Sequence, residues 1–196
     1  MSAAVVDFAP LHFEDCSARP RCGCKGPGAE TWLRSRGYRI PAAPNSALLD
    51  GDGVLVARLA TSEFLIEAVA AAGGAARVRS SRLQLNERAQ PRDVYAVARQ
   101  DTVMTLSGTG LNALLRQICS VDFAPLLESA DDDGGTGNDE GPVLLTSMIG
   151  VGVLAWPRRL KSGSAVTVWC EPSYGNYFWN TLLEVGREAG GVSLGE

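Results

Sequence analysis

The chain has 196 residues, 45% of them apolar and 20% charged, with a formal net charge of -4. That length and balance suit one globular domain, or two small fused ones, with a real hydrophobic core. They give no electrostatic footprint for nucleic acid, and no stretch approaches the run of about 20 apolar residues that spans a bilayer.

The chain opens "MSAAVVDFAPLHFEDC". No basic segment leads into an apolar one, so no secretory signal is read and a cytoplasmic location is expected. Residues 1–24 read as an irregular leader. "KGPGAETWLRSRGYRIP", Lys25 to Pro41, follows as a glycine-rich turn entering a short helix. Ala29, Trp32 and Leu33 take the i, i+3 and i+4 positions of one face, and Gly37 is a natural stop. "AAPNSALLDGDG" reads as a loop. "VLVARL" (Val54 to Leu59) and "EFLIEA" (Glu63 to Ala68) read as a hairpin turning at Ala60-Thr61-Ser62. "VAAAGGAA" either extends the second strand or begins a helix.

From Arg77 to Arg99 the chain carries six arginines and no lysine. This segment reads either as a solvated mixed surface or as a site for anions or a partner's carboxylates. Strand-like runs follow at Val94–Ala98 and Val103–Leu106. In "GTGLNALLRQICSVDF", Leu111, Leu114, Leu115 and Ile118 form one helical face. "ESADDDGGTGNDEG", Glu128 to Gly141, has almost nothing to bury and reads as a mobile acidic surface loop. "PVLLTSMIGVGVLAW" is strand-rich and "PRRLKSGS" reads as a turn. "VTVWCEPSYGNYFWNTLLEVGREAGG" closes the chain as a strand, a turn at Pro172-Ser173 and a helix starting near Tyr174.

That last helix carries two candidate stripes. Tyr174, Tyr177, Phe178, Leu182 and Val185 make one; Trp179, Leu183 and Gly186 make a second. Tyr177 and Phe178 are expected on the core side. Trp179, Leu183 and Tyr174 are the candidate contacts with another chain, since tryptophan and tyrosine dominate interface hot spots.

Two segments match by offset: "GPGAETWL" (Gly26 to Leu33) and "GTGLNALL" (Gly108 to Leu115). Each is followed, after a variable loop, by strands. They suggest two similar helix-plus-antiparallel-hairpin units, about 25–90 and about 91–190, in an α+β fold with sheets packed against helices. Neither glycine pair completes a dinucleotide fingerprint, which needs a third glycine and a parallel strand before it. Both read as tight turns that admit a helix.

No convincing catalytic set is present. His12 is the sole histidine, and no nucleophile–base pair is recognisable from spacing. Glu63, Glu67, Asp101 and Asp122 read as rim, turn and helix-end carboxylates. Five cysteines is an odd number, which argues against a disulfide framework. Cys119 and Cys170 read as small buried hydrophobes. His12, Cys16, Cys22 and Cys24 are weak candidates for zinc, because Cys22 and Cys24 are closer than the usual structural pair. Less than one zinc per chain is therefore expected.

"KGPGAETWL", "DTVMTLSGTGLNALLRQICSVDF", "IGVGVLAW" and "VTVWCEPSYGNYFWNTLLE", in that order, resemble the gamma subunit of heterotetrameric sarcosine oxidase. The resemblance runs from about Lys25 to Gly190. That family is similar in turn to the folate-binding T protein of glycine cleavage. The resemblance implies T-protein-like units over residues 25–196 and a non-catalytic subunit of an N-methyl amino acid oxidase or demethylase. It implies that FAD, FMN, NAD and tetrahydrofolate belong to larger alpha and beta partners, with zinc on a small delta subunit. This chain would bind no cofactor alone. The leader cysteines and the acidic insertion depart from the family pattern. A free-standing folate-binding protein of the T-protein type is the alternative. Its "CGCKGPGAE" lacks the tyrosine, the glutamine and the order of the Lys-Gly-Cys-Tyr-x-Gly-Gln-Glu motif found in stand-alone members.

Overall fold

The computed structural model of the chain describes residues 5–8, 11–50, 53–69, 90–129, 139–160 and 163–190. The strands in chain order are β1 (Val5–Phe8), β2 (Leu11–Asp15), β3 (Arg21–Lys25), β4 (Ser46–Leu49), β5 (Val54–Ala60) and β6 (Glu63–Ala68). They continue with β7 (Tyr95–Val97), β8 (Thr102–Ser107), β9 (Asp139–Pro142), β10 (Leu144–Met148), β11 (Val151–Leu160) and β12 (Gly163–Cys170). The helices are α1 (Ala29–Ser35), α2 (Leu111–Ile118), α3 (Ala124–Ser129) and α4 (Gly175–Gly190), the last entered through a 3-10 turn at Pro172–Tyr174.

The strands form two antiparallel sheets, ordered β1-β2-β8-β12-β11-β10 and β7-β3-β6-β5-β4-β9. They fall in two compact units. A terminal unit takes Met1–Ala18, Gln100–Gly134 and Leu144–Glu196; a central unit takes Arg19–Arg99 and Gly135–Val143.

In the central unit, β3 runs into the turn at Gly26 and then α1. Three strands follow as a meander, and the last of them, β6, returns beside β3. Cys22, Cys24, Val54, Val56, Phe64 and Ile66 face Ala29, Trp32 and Leu33 in one core cluster. The opposite positions Leu55, Ala57 and Leu65 are buried as well. Strands covered on both faces read as continuous apolar runs rather than alternating ones, which is why "VLVARL" and "EFLIEA" look alike. Arg58 ties the unit together. Its guanidinium donates to the carbonyls of Pro41 at 3.2 Å and Thr61 at 2.9 Å, and pairs with Glu30 at 2.9 Å.

In the terminal unit, β8 runs into the turn at Gly108 and then α2. The meander is β10-β11-β12, and β12 returns beside β8. Leu111, Leu114, Leu115 and Ile118 of α2 meet Phe13, Met104, Leu106, Val166 and Val168 of the sheet in its core. Phe178 and Leu182 of α4 complete that cluster and are fully buried.

Four expectations change. Residues 1–24 are no irregular leader, because they supply β1, β2 and β3. Leu11 and Phe13 alternate with His12 and Glu14, the period of a strand with one buried face. The loop after Pro41 contains β4, whose Ala47 and Leu48 are buried. The acidic segment contributes the end of α3 and all but the last residue of β9, which pairs with β4; residues 130–138 lie outside the described residues. "PRRL" extends β11 rather than turning.

The units also have other boundaries than about 25–90 and about 91–190. β2 precedes β3 in the chain but pairs with β8, while β7 precedes β8 but pairs with β3. Each sheet therefore takes a strand from just ahead of the other sheet's turn and helix.

Phe178 has no exposed surface. Phe178→Ala should therefore lower stability by about 3–5 kcal/mol, read from urea unfolding of the purified chain. Tyr177, which is 54% exposed, should cost under about 1 kcal/mol as Tyr177→Ala.

Candidate functional site

Helix α4 carries the interface candidates. Trp179, Leu183 and Val185 are partly buried and pack against the same cluster as Phe178 and Leu182. Tyr174 is 53% exposed. Tyr177, expected on the core side, is instead turned outward, and its hydroxyl donates to the Ile149 carbonyl at 3.2 Å. That carbonyl belongs to the tight β10–β11 turn, where Ile149 has φ 44 and Gly150 φ 78. The large exposed aromatics of this region are thus Tyr174, in the 3-10 turn, and Tyr177, in the first turn of the helix.

The leader cysteines lie in strands. Cys22 and Cys24 of β3 stand opposite Ile66 and Phe64 of β6 and share one core cluster with them. Cys16 is buried and its Sγ lies 3.4 Å from the Thr105 Oγ1. His12 stands opposite Ser107 in the β2–β8 register. Among the described residues, no three His, Cys, Asp or Glu side chains gather as a metal set. All five cysteines are buried and none is joined in a disulfide. Burial, with Cys22 adding to it, pushes the Cys24 thiol from 9.0 up to about 12. Burial, then the charges of Asp101 and Glu171, push Cys170 up to about 11.

Glu67 is a residue that the sequence reading misplaced at a hairpin rim. It is fully buried. The Arg21 Nε donates to its Oε2 at 3.2 Å, and the Arg19 Nη1 stands 3.7 Å from its Oε1. The signal was present: Glu67 lies two residues after Leu65, so both point to one face of β6. A buried carboxylate needs such partners.

The two glycine turns have the same geometry. Gly26 has φ 123 and Gly108 φ 113. The N-cap residues Gly28 and Gly110 have φ/ψ of -86/-3 and -84/-3. Ala29 N–H donates to Gly26 at 3.0 Å, as Leu111 N–H does to Gly108 at 3.2 Å. Both turns leave an antiparallel strand, so neither is the strand-to-helix step of a dinucleotide site. At the first, the chain fills the helix end itself. Gly28 N–H donates to the Asp93 backbone carbonyl at 3.3 Å. The Asp93 carboxylate stands where a side chain on Gly28 would go.

Two antiparallel sheets, each with a helix on a glycine turn, define an α+β fold. No family model and no curated protein matches the sequence. Among solved structures, the chain is similar to one from the heterotetrameric sarcosine oxidase of Corynebacterium sp. U-96. The TM-score is 0.66 at 19% identity, over 97% of this chain and 91% of that one. It is also similar to the glycine cleavage system aminomethyltransferase T of Bartonella henselae, with TM-score 0.51 at 15% identity. That match covers 86% of this chain and 44% of the other. The resemblance carried by the motifs is thus met by shared folds. Among the described residues no helix is long and apolar enough to cross a membrane.

The thiols set a pH dependence. Unfolding returns Cys24 and Cys170 to the ordinary value of 9.0, below their folded values of about 12 and about 11. The unfolded chain then releases these protons first, so stability should fall as pH rises above about 9 and go on falling to about 12. Urea midpoints between pH 8 and 11 check the slope, and Cys24→Ala should flatten it. At pH 8, iodoacetamide should label the folded chain far more slowly than the unfolded chain. Glu67→Leu should cost about 3 kcal/mol, since it removes the carboxylate that pairs with the buried Arg21 side chain; thermal melts measure it.

Proposed function

We propose that this chain is a non-catalytic, gamma-type subunit of a heterotetrameric sarcosine oxidase or a related N-methyl amino acid oxidase or demethylase. The observation that carries the reading is the near end-to-end match, 97% of this chain on 91% of one chain of such a heterotetramer. A subunit without a nucleophile–base pair or a complete nucleotide turn has its role in packing against flavin-bearing partners. FAD, FMN, NAD and tetrahydrofolate then belong to the larger alpha and beta subunits, and zinc to a small delta-type subunit.

Two further features support assembly. Tyr174 and Tyr177 expose two rings at the entrance of α4, a residue type enriched at interface hot spots. The common order of strand, glycine turn, helix and returning meander in both sheets supports the duplicated unit that the T-protein resemblance implies. A free-standing folate-binding protein is the weaker reading, since the chain spans only 44% of the T-protein chain it matches.

Tagged chain expressed at native level should co-purify with larger, flavin-absorbing subunits. The isolated chain should not oxidise sarcosine. Elution of the chain alone, with no flavin absorbance in any associated fraction, would falsify the subunit reading. Tyr174→Ala combined with Tyr177→Ala should weaken assembly about tenfold or more, on the order of 1.4 kcal/mol. The melting temperature of the isolated chain should change little.

A further inference from the structure

Among the described residues outside glycine, only Asn45 and Ile149 have positive φ, at 58 and 44. Asparagine tolerates that region, whereas a β-branched side chain there is an outlier. Met148 pairs with Val151 at the end of the β10–β11 hairpin. Ile149 and Gly150, with φ 44 and 78, therefore form a two-residue turn of the kind that favours Asn-Gly. Isoleucine stands at the position that asparagine fits best. Such a conformation persists only where its surroundings over-determine it, and it collects at clamps and switches.

Three contacts hold Ile149. Its N–H donates to the Ile118 carbonyl at 2.8 Å, one of the last carbonyls of α2, which have no intrahelical donor. Its side chain packs against the core of the terminal unit. Its own carbonyl accepts from the Tyr177 hydroxyl at 3.2 Å. The first two contacts are made to buried parts of the unit. The third depends on a side chain that is 54% exposed, so water competes for the hydroxyl. The strand beside the turn is held lightly as well. β10 is the last strand of its sheet, and among the described residues its outer side has one isolated backbone bridge, Met148 to Cys119.

We propose that the β10–β11 turn is a two-state latch, closed by the Tyr177 hydroxyl and released without it, and that a partner subunit seated on the Tyr177 ring selects the closed state. Release relieves the positive φ of Ile149 and frees one end of an edge strand. Closure needs the hydroxyl to prefer the Ile149 carbonyl over water. A partner that covers the ring excludes that water and leaves the carbonyl as the hydroxyl's acceptor, in surroundings where such a bond is stronger. Partner binding and turn closure are then coupled in both directions: whatever closes the turn also raises affinity for the partner. Two substitutions separate these roles. Tyr177→Phe keeps the ring and removes the latching bond. Ile149→Asn gives the turn a residue that accepts positive φ unaided, so closure no longer depends on Tyr177. The coupling rests on the subunit reading above, whereas the latch is a property of the single chain.

Amide hydrogen exchange on the full ¹⁵N-labelled chain tests the latch. Tyr177→Phe should lower protection of the Ile149 amide about fivefold or more and leave the Leu106 amide of β8 unmoved. Adding Ile149→Asn should return protection at position 149 to the wild-type level. The latch is overturned by an unmoved Ile149 amide in Tyr177→Phe, by an equal loss at Leu106, or by a loss that Ile149→Asn does not repair. Co-purification from the tagged chain tests the coupling. Tyr177→Phe should reduce capture of the flavin-absorbing subunits about fivefold or more, and Ile149→Asn should restore it. Unchanged capture by Tyr177→Phe, or a loss that Ile149→Asn leaves in place, overturns the coupling. If the wild-type chain captures no partner, the subunit reading fails and the coupling with it, and the exchange measurement still decides the latch.

Discussion

Both sheets depend on a strand that ends at a glycine with positive φ and passes at once into a helix. At Gly26 and Gly108 the backbone lies at φ 123 and 113, a region that side chains rarely enter. Space reinforces the choice at Gly26, where an added Cβ would collide with the Asp93 carbonyl. The turn fixes where the helix begins, and thus which helical face meets the sheet. Ala29, Trp32 and Leu33 follow from the first turn, and Leu111, Leu114, Leu115 and Ile118 from the second. The returning strands β6 and β12 then close each sheet against the strand that entered the turn.

The local parts of this plan were legible in the sequence. Helical faces repeat every three or four residues and need no distant information. The β5–β6 hairpin joins neighbours through a short turn, and its limits were close. What escaped was non-local. β4 and β9 have four residues each, too few to show a period. β2 and β7 pair with the remote strands β8 and β3, while the strand that follows each in the chain lies in the other sheet. An apolar pattern names the face of a strand, and it does not name the partner. Hence the motifs gave the family resemblance and missed the exchange of strands.

Burial of charge escaped for a related reason. Glu67 sits among residues that also fit an exposed hairpin, and its arginine partners help explain its place in the core. Those arginines come from the segment first read as an irregular leader. Once β3 is a strand, Arg21 stands opposite Glu67 in register, and the apparent surface carboxylate becomes a buried pair. The Asp93 carboxylate at the first glycine turn has the same history, since its place follows from β7 joining β3 rather than from its own neighbours.

Helix α4 shows how much apolar surface one core can use. At about 100° per residue, Phe178, Leu182, Gly186 and Trp179 fall within a single arc of about 100°. Val185 lies on one flank and Leu183 on the other. The two stripes are thus halves of one broad face over the terminal unit's core, where both Phe178 and Trp179 pack. Tyr177 lies about 100° to the other side of Phe178, which accounts for its exposure. Its hydroxyl already has a partner in the Ile149 carbonyl. A partner surface covering the ring therefore buries apolar area without stranding a polar atom, the usual cost of burying tyrosine. Trp179 and Leu183 serve the core, so any partner contact proposed for this helix falls to the exposed tyrosines at its entrance.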